Sequence, residues 1–352
     1  MPDQRHLYLD CVIFGLQRFG GISNYWARLL DHATRSPLVS PRLVLPHRTT
    51  FREFDPAWTR DLPMQRERLP ARATRYMHAS VSERHAVFHT SYYRLPSRKV
   101  SRYIVSAYDF TYERYRGGLA RLVHTTQKLA SLRRADAILC ISESTKRDVL
   151  EYCQGIDPAK IHVTHLGVDI GMFFPDVGND VSNEATVLFV GQRGGYKRFD
   201  LAVEALRQCP RLRLGVVGPP LTQSERDMLR ATLGVRWHEF GPVDTGQLRH
   251  LYSTAFAFIF PSDYEGFGLP ILEAMACGCP VIAANTSSLP EVGAHAARYA
   301  TEQSGSAYAG QLDVLAAVSA RDASVQAGIG RAAEFSWSKT FDQTLSVYLG
   351  TP

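Results

Sequence analysis

Lysine is scarce in this chain of 352 residues, supplying only six of 40 basic side chains against 34 acidic ones. Arginine therefore carries most of the positive charge, and its planar fork of donors suits bidentate contacts with anions. Long apolar runs are missing as well. No stretch reaches the roughly 18 uninterrupted apolar residues that a membrane-crossing helix needs. Leu7–Phe14, interrupted by Asp10, is too short for a secretory apolar region. The six cysteines (Cys11, Cys140, Cys153, Cys209, Cys277 and Cys279) are scattered, and Cys277-Gly-Cys279 is too tight for ordinary zinc-finger spacing. Buried free thiols in a reducing compartment are the economical reading, so the chain is expected in the cytoplasm.

Other signatures are absent too. No tight His/Cys/Asp/Glu cluster argues for a structural metal. Ser23, Ser142 and Ser262 have no partner set for serine hydrolysis. Neither a GxxxxGK[ST] phosphate loop nor a correctly spaced GxGxxG fingerprint occurs. Glycine at 26 and proline at 19 are near ordinary usage, which excludes collagen-like sequence and bulk disorder.

What is present is a chain long enough for two domains, with an uneven net charge of +6. Residues 1–180 carry an excess of eight positive charges, and 181–352 an excess of two negative ones. The window 48–102 alone is +7, with Arg66, Arg68, Arg72 and Arg75 next to Tyr76 and Met77. Such a half could face acidic substrates, anionic lipid or nucleic acid. No recognition helix or single-strand-binding signature supports nucleic acid.

Leu7–Phe14 reads as a buried strand, followed by an Arg18-Phe-Gly-Gly21 turn and a helix through Ile22–Ala33. Leu69–Arg84 is expected as an Arg-rich helix or a mobile segment. Ser142 caps a following helix, without the stricter capping-box spacing. The acidic, glycine-containing stretch Asp176–Glu184 is the best linker. Beyond it strand–helix units restart with Thr186–Val190 and Phe199–Gln208, and residues 323–349 read as helical. The pattern predicts two open, mostly parallel α/β sheets. The expected boundaries are 1–175 for an N-terminal domain, 176–330 for a C-terminal one, and 331–352 for a helix crossing back to the first.

Two segments can carry chemistry. In Phe260-Pro-Ser-Asp-Tyr-Glu-Gly-Phe-Gly-Leu-Pro-Ile-Leu-Glu273, a strand ends near Phe260 and a helix starts near Pro270, where proline fits the first turn. Unpaired amides at that helix start suit an anion or a sugar oxygen. Glu265 and Glu273 can address different parts of one elongated ligand; a solvent-facing Glu265 and a salt-bridged Glu273 are the plainer alternative. In Gly191-Gln-Arg-Gly-Gly-Tyr-Lys197, two cations four residues apart in a flexible turn can converge on a diphosphate. Surface charge beside a tight turn is the alternative there.

These passages resemble the retaining nucleotide-sugar glycosyltransferases of the GT-B fold, in the glycogen-synthase-like bacterial polysaccharide group, family 4. The most specific segment is Ser262-x-x-Glu-Gly-Phe-Gly-Leu-Pro-x-x-Glu-Ala-Met-Ala-x-Gly-x-Pro-Val281. Gly20-Gly21, His89-x-x-Tyr92-Tyr93, Ile141-Ser-Glu-Ser-Thr145, Leu166-Gly-Val-Asp169, Leu251-Tyr252 and Ser288-Leu-Pro-Glu291 follow in the family's order. The resemblance implies two Rossmann-like α/β domains with parallel sheets facing an interdomain cleft, the first for the acceptor and the second for the donor.

It also implies roles. Arg193 and Lys197 would neutralise the donor diphosphate. Glu265 would lie against the transferred sugar and Glu273 hold the ribose. Gly268 and Leu269 would supply backbone contacts, and Gly21 the loop that closes over the diphosphate. Glu291 would order the adjoining loop. Relatives often place a histidine before Asp109; here Tyr108 stands there, a poor proton shuttle with an ordinary pKa of about 10. Together with His89 and Tyr92, Tyr108 and Asp109 are candidates for acceptor or sugar contacts. No metal or other cofactor is expected. The implied reaction moves a hexosyl group, with GDP-mannose as the donor expectation, onto a polysaccharide or lipid-linked oligosaccharide. UDP- and dTDP-sugars, a small-molecule acceptor, and a non-catalytic carbohydrate-binding or assembly role remain alternatives. Peripheral membrane contact is a further expectation; oligomeric state is left open.

Overall fold

A computed structural model describes residues 4–17, 20–47, 49, 62–176 and 186–351. The chain divides into two compact units, Met1–Gly167 with Trp337–Pro352, and Val168–Ser336.

The first unit alternates strands and helices: β1 (Arg5–Asp10), α1 (Ile13–Leu16), α2 (Gly21–Arg35), β2 (Val39–Leu45), β3 (Met64–Arg66), α3 (Ala71–Thr74) and β4 (Val87–Thr90). It continues with β5 (Arg102–Ala107), α4 (Thr111–Tyr115), α5 (Gly118–Arg134), β6 (Ala137–Cys140), α6 (Glu143–Tyr152) and β7 (Ile161–Val163). The seven strands lie in the order β3-β2-β1-β4-β5-β6-β7, and each pairing is parallel. Strands β4 and β6 are buried on both faces, the continuous apolar pattern of a parallel sheet covered by helices.

The second unit repeats the plan with β8 (Thr186–Val190), α7 (Phe199–Gln208), β9 (Arg213–Val217), α8 (Gln223–Leu233), β10 (Trp237–Gly241), α9 (Thr245–Thr254) and β11 (Ala257–Phe260). Then come α10 (Leu269–Ala276), β12 (Val281–Ala283), α11 (Leu289–Gly293), β13 (Arg298–Tyr299), α12 (Gly305–Val314) and α13 (Val318–Ala333). Its sheet runs β10-β9-β8-β11-β12-β13, again parallel throughout. Val187, Phe189, Leu214, Val216 and Ile259 of this sheet pack with Phe199, Ala202 and Leu206 of α7 in one core. Both sheets thus contain the doubly wound order in which strand sequence reverses at one place, between β1 and β4 in one unit and between β8 and β11 in the other. Open α/β sheets bind ligands outside the strand ends at that reversal.

Local chemistry explains most boundaries. Ser142 caps α6 through Thr145 N at 2.9 Å. Capping boxes open α8 (Thr222 with Glu225) and α9 (Asp244 with Gln247). The last helix, α14 (Trp337–Leu349), belongs to the first unit. There Tyr348 Oη meets His89 Nδ1 at 2.7 Å, and Trp337 lies 6.4 Å from Tyr25 between ring centroids.

Three expectations change. The first strand ends at Asp10, and Ile13 and Phe14 form part of α1, because the chain turns at Cys11–Val12 to close the sheet end. Leu69–Arg84 contributes only the single-turn helix α3; from Ala79 the chain runs extended, held by Ala79 N to Leu95 O at 2.8 Å and Ser97 N to Ala79 O at 2.8 Å. That stretch lacks an apolar helical face, so tertiary pairing decides its path. The helical region 323–349 is two helices, separated at Glu334–Ser336. Asp176 of the expected linker is fixed, its carboxylate 2.9 Å from Arg249 and 3.1 Å from His250. Residues 177–184 of that linker, and Arg18 and Phe19 of the first glycine turn, lie outside the described residues.

Candidate functional site

The loop after β8 and the loop after β11 meet at the strand reversal of the second unit. Gly191, with φ of +120°, lets the backbone leave β8, and Gly218 after β9 packs on it so tightly that a Cβ there would lie 2.6 Å from Gly191 O. Asp263 N donates to Tyr196 O at 2.7 Å, joining the two loops through the backbone. Lys197 Nζ then donates to Glu265 Oε1 at 2.6 Å, with both side chains mostly enclosed. An ammonium carries three donors, so the bond to Glu265 does not by itself preclude an anionic ligand.

Arg193 is held differently. Its Nε donates to Glu225 Oε1 at 2.9 Å and its Nη2 to Pro220 O at 2.9 Å, while Nη1 is enclosed with no partner among the described residues. Burial pushes the Glu225 carboxyl up, but Arg193 and the Thr222 hydrogen bonds outweigh it and hold the group below its ordinary range. Arg193 and Lys197 thus leave the same loop tied to different acids, and no hydrogen bond joins either to Glu273.

Glu273 sits one turn inside α10, half-buried, its carboxylate without a hydrogen-bond partner among the described residues. Burial raises its pKa from 4.5 to about 7. Tyr252 of α9 is fully buried near it, and its hydroxyl likewise has no partner among the described residues. Gly268 precedes α10 with φ of +106°, and a Cβ there would lie 2.9 Å from Leu289 Cδ2. Only glycine fits, and no Cβ there covers the Leu269 amide at the helix start; Pro270 has no N–H, and Ile271 N donates to Gly268 O at 2.9 Å.

Sequence reasoning missed the residues that hold this loop. Ser288 Oγ donates to the carbonyls of Glu265 (3.0 Å) and Phe267 (2.8 Å); Glu265 N donates to Ser287 Oγ (2.9 Å); Thr286 Oγ1 donates to Ser262 O (2.9 Å). The Ser288-Leu-Pro-Glu291 motif carries no local sign that the Ser288 hydroxyl holds a loop more than 20 residues before it. The backbone carbonyl of Glu291 accepts from Arg331 Nη2 at 2.7 Å. Glu225 was equally invisible, being separated from Arg193 by 32 residues.

In the first unit, Gly20 and Gly21 are exposed at the start of α2, and a side chain at Gly20 would run into Gln17. His89 is a correction to the acceptor-contact expectation: it is wholly buried, its Nδ1 on Tyr348 Oη and its Nε2 on Ser106 Oγ at 2.8 Å, with Trp26 packed at 4.7 Å between centroids. Burial lowers its pKa to about 3. Tyr108 is also buried, its hydroxyl accepting from Trp26 Nε1 (2.5 Å) and donating to Ser91 O (3.3 Å), so neither ring is presented to a ligand here. Asp109 is half-buried; it accepts from Thr111 N at 2.9 Å, which fixes its own loop. Tyr92 is half-buried and accepts from Arg75 Nη2 at 3.1 Å; burial pushes its phenol up to about 12. Of the basic window, Arg66, Arg68 and Met77 line a cavity of about 540 Å³, and Arg75 and Tyr76 a second of about 350 Å³. Among the described residues, no group of three or more His, Cys, Asp or Glu side chains could hold a metal ion, and no helix is long and apolar enough to cross a membrane.

Two parallel doubly wound units, with a cation–carboxylate pair at the strand reversal of the second, define the GT-B class. Two family profiles match in turn: "Glycosyltransferase Family 4" over residues 19–171 and "Glycosyl transferases group 1" over residues 174–315. The chain belongs to these glycosyltransferase families. It is 42% identical over 109 residues to O-antigen chain mannosyltransferase B of Escherichia coli, covering 31% of this chain and 29% of that protein. It is 31% identical over 245 residues to alpha-maltose-1-phosphate synthase of Mycolicibacterium smegmatis, covering 61% and 63%. The chain thus spans less than two thirds of either relative. Among solved structures, HepE of Anabaena in complex with UDP and glucose superposes with a TM-score of 0.74 over 99% of this chain and 100% of that one, at 16% identity, a likeness of fold.

Proposed function

We propose that the chain is a retaining glycosyltransferase that moves a hexosyl group from a nucleotide-sugar donor to a carbohydrate or lipid-linked acceptor. The observation that carries this reading is the 2.6 Å pair of Lys197 and Glu265 between the loops that follow β8 and β11. A diphosphate beside Lys197 would bring the sugar it carries against Glu265. The bond between the anomeric carbon and the diphosphate oxygen breaks, and the acceptor oxygen bonds to the same face of that carbon. The acceptor's proton passes to the leaving diphosphate. Negative charge grows on that diphosphate in the transition state, so cations fixed beforehand lower the barrier. Arg193, braced by Glu225, is the second such cation; Glu273 is the acceptor for the ribose hydroxyls, and the Leu269 amide takes a phosphate or sugar oxygen.

For the donor, a UDP- or dTDP-sugar is preferred to GDP-mannose. The relative named for mannose aligns over 31% of this chain, whereas the one aligned over 61% is named for maltose 1-phosphate. The solved fold neighbour carries UDP and glucose. The acceptor is then either a glycan or a small phosphorylated sugar.

A thermal-shift screen of UDP-, dTDP-, GDP- and ADP-sugars, followed by mass-spectrometric transfer assays, tests the reading. Stabilisation by a UDP- or dTDP-sugar with a heavier acceptor product supports it. Selective stabilisation by GDP-mannose overturns the donor assignment, and no response to any nucleotide sugar overturns the function.

A further inference from the structure

The backbone of Glu265 is held at both of its polar groups by two adjacent serines, 22 and 23 residues further along the chain. Its N–H donates to Ser287 Oγ at 2.9 Å, and its carbonyl accepts from Ser288 Oγ at 3.0 Å. Thr286 Oγ1 donates to Ser262 O at 2.9 Å, so consecutive hydroxyls of the loop after β12 carry the loop after β11.

Ser287 reaches Glu265 from a backbone that serine disfavours. Its φ is +47°, in the left-handed region where a Cβ crowds the following carbonyl and glycine is at ease. Among the described residues, only Tyr93, Arg198, Ser287 and Ala294 combine a side chain with a positive φ. Two of these four support the pair of Lys197 and Glu265. Arg198, with φ of +49°, directly follows the lysine, and Ser287 holds the amide of the glutamate. Backbone in sparsely populated conformations gathers at ligand clamps and active sites, where the surrounding structure holds it in place. A glycine at 287 would relax the backbone, but it would also remove the oxygen that accepts from Glu265.

The carboxylate end of Glu265 rests on Lys197 Nζ, 2.6 Å away. A diphosphate beside Lys197 draws on the same ammonium, which loosens that support just when the carboxylate must face the sugar. With the N–H and C=O of Glu265 both pinned, the direction of its Cα–Cβ bond no longer depends on the lysine. Ser288 Oγ also meets Phe267 O at 2.8 Å, its one proton shared between the two carbonyls. Such fixing matters because displacing a reacting group by about 1 Å costs about 100-fold in rate.

We propose that Ser287 is a positioning residue for the transfer, its hydroxyl orienting Glu265 toward the sugar through the Glu265 amide. This rests on the glycosyltransferase function proposed above and adds to it the residue that sets the geometry of Glu265. The full chain is compared with Ser287→Gly, which relaxes the backbone and deletes the acceptor. A second variant, Ser287→Asn, tolerates a left-handed φ and returns a side-chain oxygen. Hydrogen exchange of the Glu265 amide, measured without nucleotide, is expected to quicken about tenfold in Ser287→Gly and to slow again in Ser287→Asn. Turnover is read as UDP release from UDP-glucose, or as nucleotide release from whichever screened sugar the wild type consumes. In Ser287→Gly kcat is expected to fall about 10- to 100-fold while KM for the nucleotide sugar shifts less than about threefold, because Arg193 and Glu273 are untouched. Ser287→Asn is expected to recover most of kcat. The melting temperature of both variants should stay within a few degrees of wild type, which separates positioning from a loss of fold. Unchanged exchange or unchanged kcat in Ser287→Gly, or a Ser287→Asn no faster than Ser287→Gly, overturns the proposal. A wild type that releases nucleotide from no UDP-, dTDP-, GDP- or ADP-sugar overturns the glycosyltransferase function and the positioning role with it, while the exchange measurement still reports the clamp.

Discussion

Lys197 Nζ and Glu265 Oε1 lie 2.6 Å apart, although 68 residues separate them in the chain. The pair joins a cation from the loop after β8 to a carboxylate from the loop after β11. Removing either partner strands the other in a mostly enclosed place, which is costly because a lone charge there loses both water and its counter-ion. Lys197→Ala is expected to lower kcat/KM for the nucleotide sugar by about 100-fold or more, the scale of losing one preorganised donor to a developing anion. Steady-state kinetics check this; a change of less than about threefold would place Lys197 outside the reaction.

Glu225 braces Arg193 and also closes the capping box of α8. Glu225→Ala should therefore weaken two things at once: helix stability, by about 0.3–1.5 kcal/mol, and donor affinity, through a less fixed guanidinium. A double-mutant cycle with Arg193→Met separates them. A coupling of about 0.5–3 kcal/mol in donor binding is expected for residues in direct contact, and additive effects would show that Glu225 acts on the helix alone.

Glu273 predicts an unusual pH dependence. The native carboxyl keeps its proton up to about 7, while the unfolded chain releases it near 4.5. Between those values the native state binds more protons, so this group's contribution to stability falls as pH rises to about 7 and stays low above it. Relative to Glu273→Gln, the wild type should lose about 1–3 kcal/mol between about pH 5 and pH 8, read from denaturant melts. Donor binding should show the reverse trend, tightening as pH passes about 7 because the ionised carboxylate is the better acceptor for ribose hydroxyls.

His89 works in the opposite sense. Its pKa near 3, against an ordinary 6.5, means the unfolded chain takes up a proton that the native ring refuses. Stability from this group is complete above about 6.5 and is lost as pH falls toward 3. His89→Ala should cost about 2–4 kcal/mol by opening a cavity beside Trp26 and unpairing Ser106 and Tyr348. The catalytic constants of the variant, measured below its melting temperature, should stay within a few-fold of wild type, since the ring touches no ligand surface.

Much of the second unit could be read residue by residue. Thr186–Val190, Phe199–Gln208, Arg213–Val217, Gln223–Leu233 and Leu269–Ala276 have the bounds their apolar rhythm and flanking turns suggest. The first unit was harder. β3 is three residues long, too short to show alternation, and α3 is one turn within an arginine-rich stretch with no apolar face. His89 and Tyr108 looked like ligand contacts because polar residues at strand ends so often are. Their burial depends on α14 and α2, which pack over them from distant parts of the chain.

The sequence by itself determined the alternation of strands and helices, the proline at 270 that fits the first turn of a helix, and the family motif around Glu265 and Glu273. Those are local properties, set by side-chain period, caps and backbone freedom. The tertiary structure decided which charges meet: Lys197 with Glu265, Arg193 with Glu225, and Glu273 with none among the described residues. It also decided that the Ser287 hydroxyl meets the Glu265 amide. Pairing and burial depend on how strands order themselves in a sheet, and that order brings together residues whose separation along the chain carries no local signal.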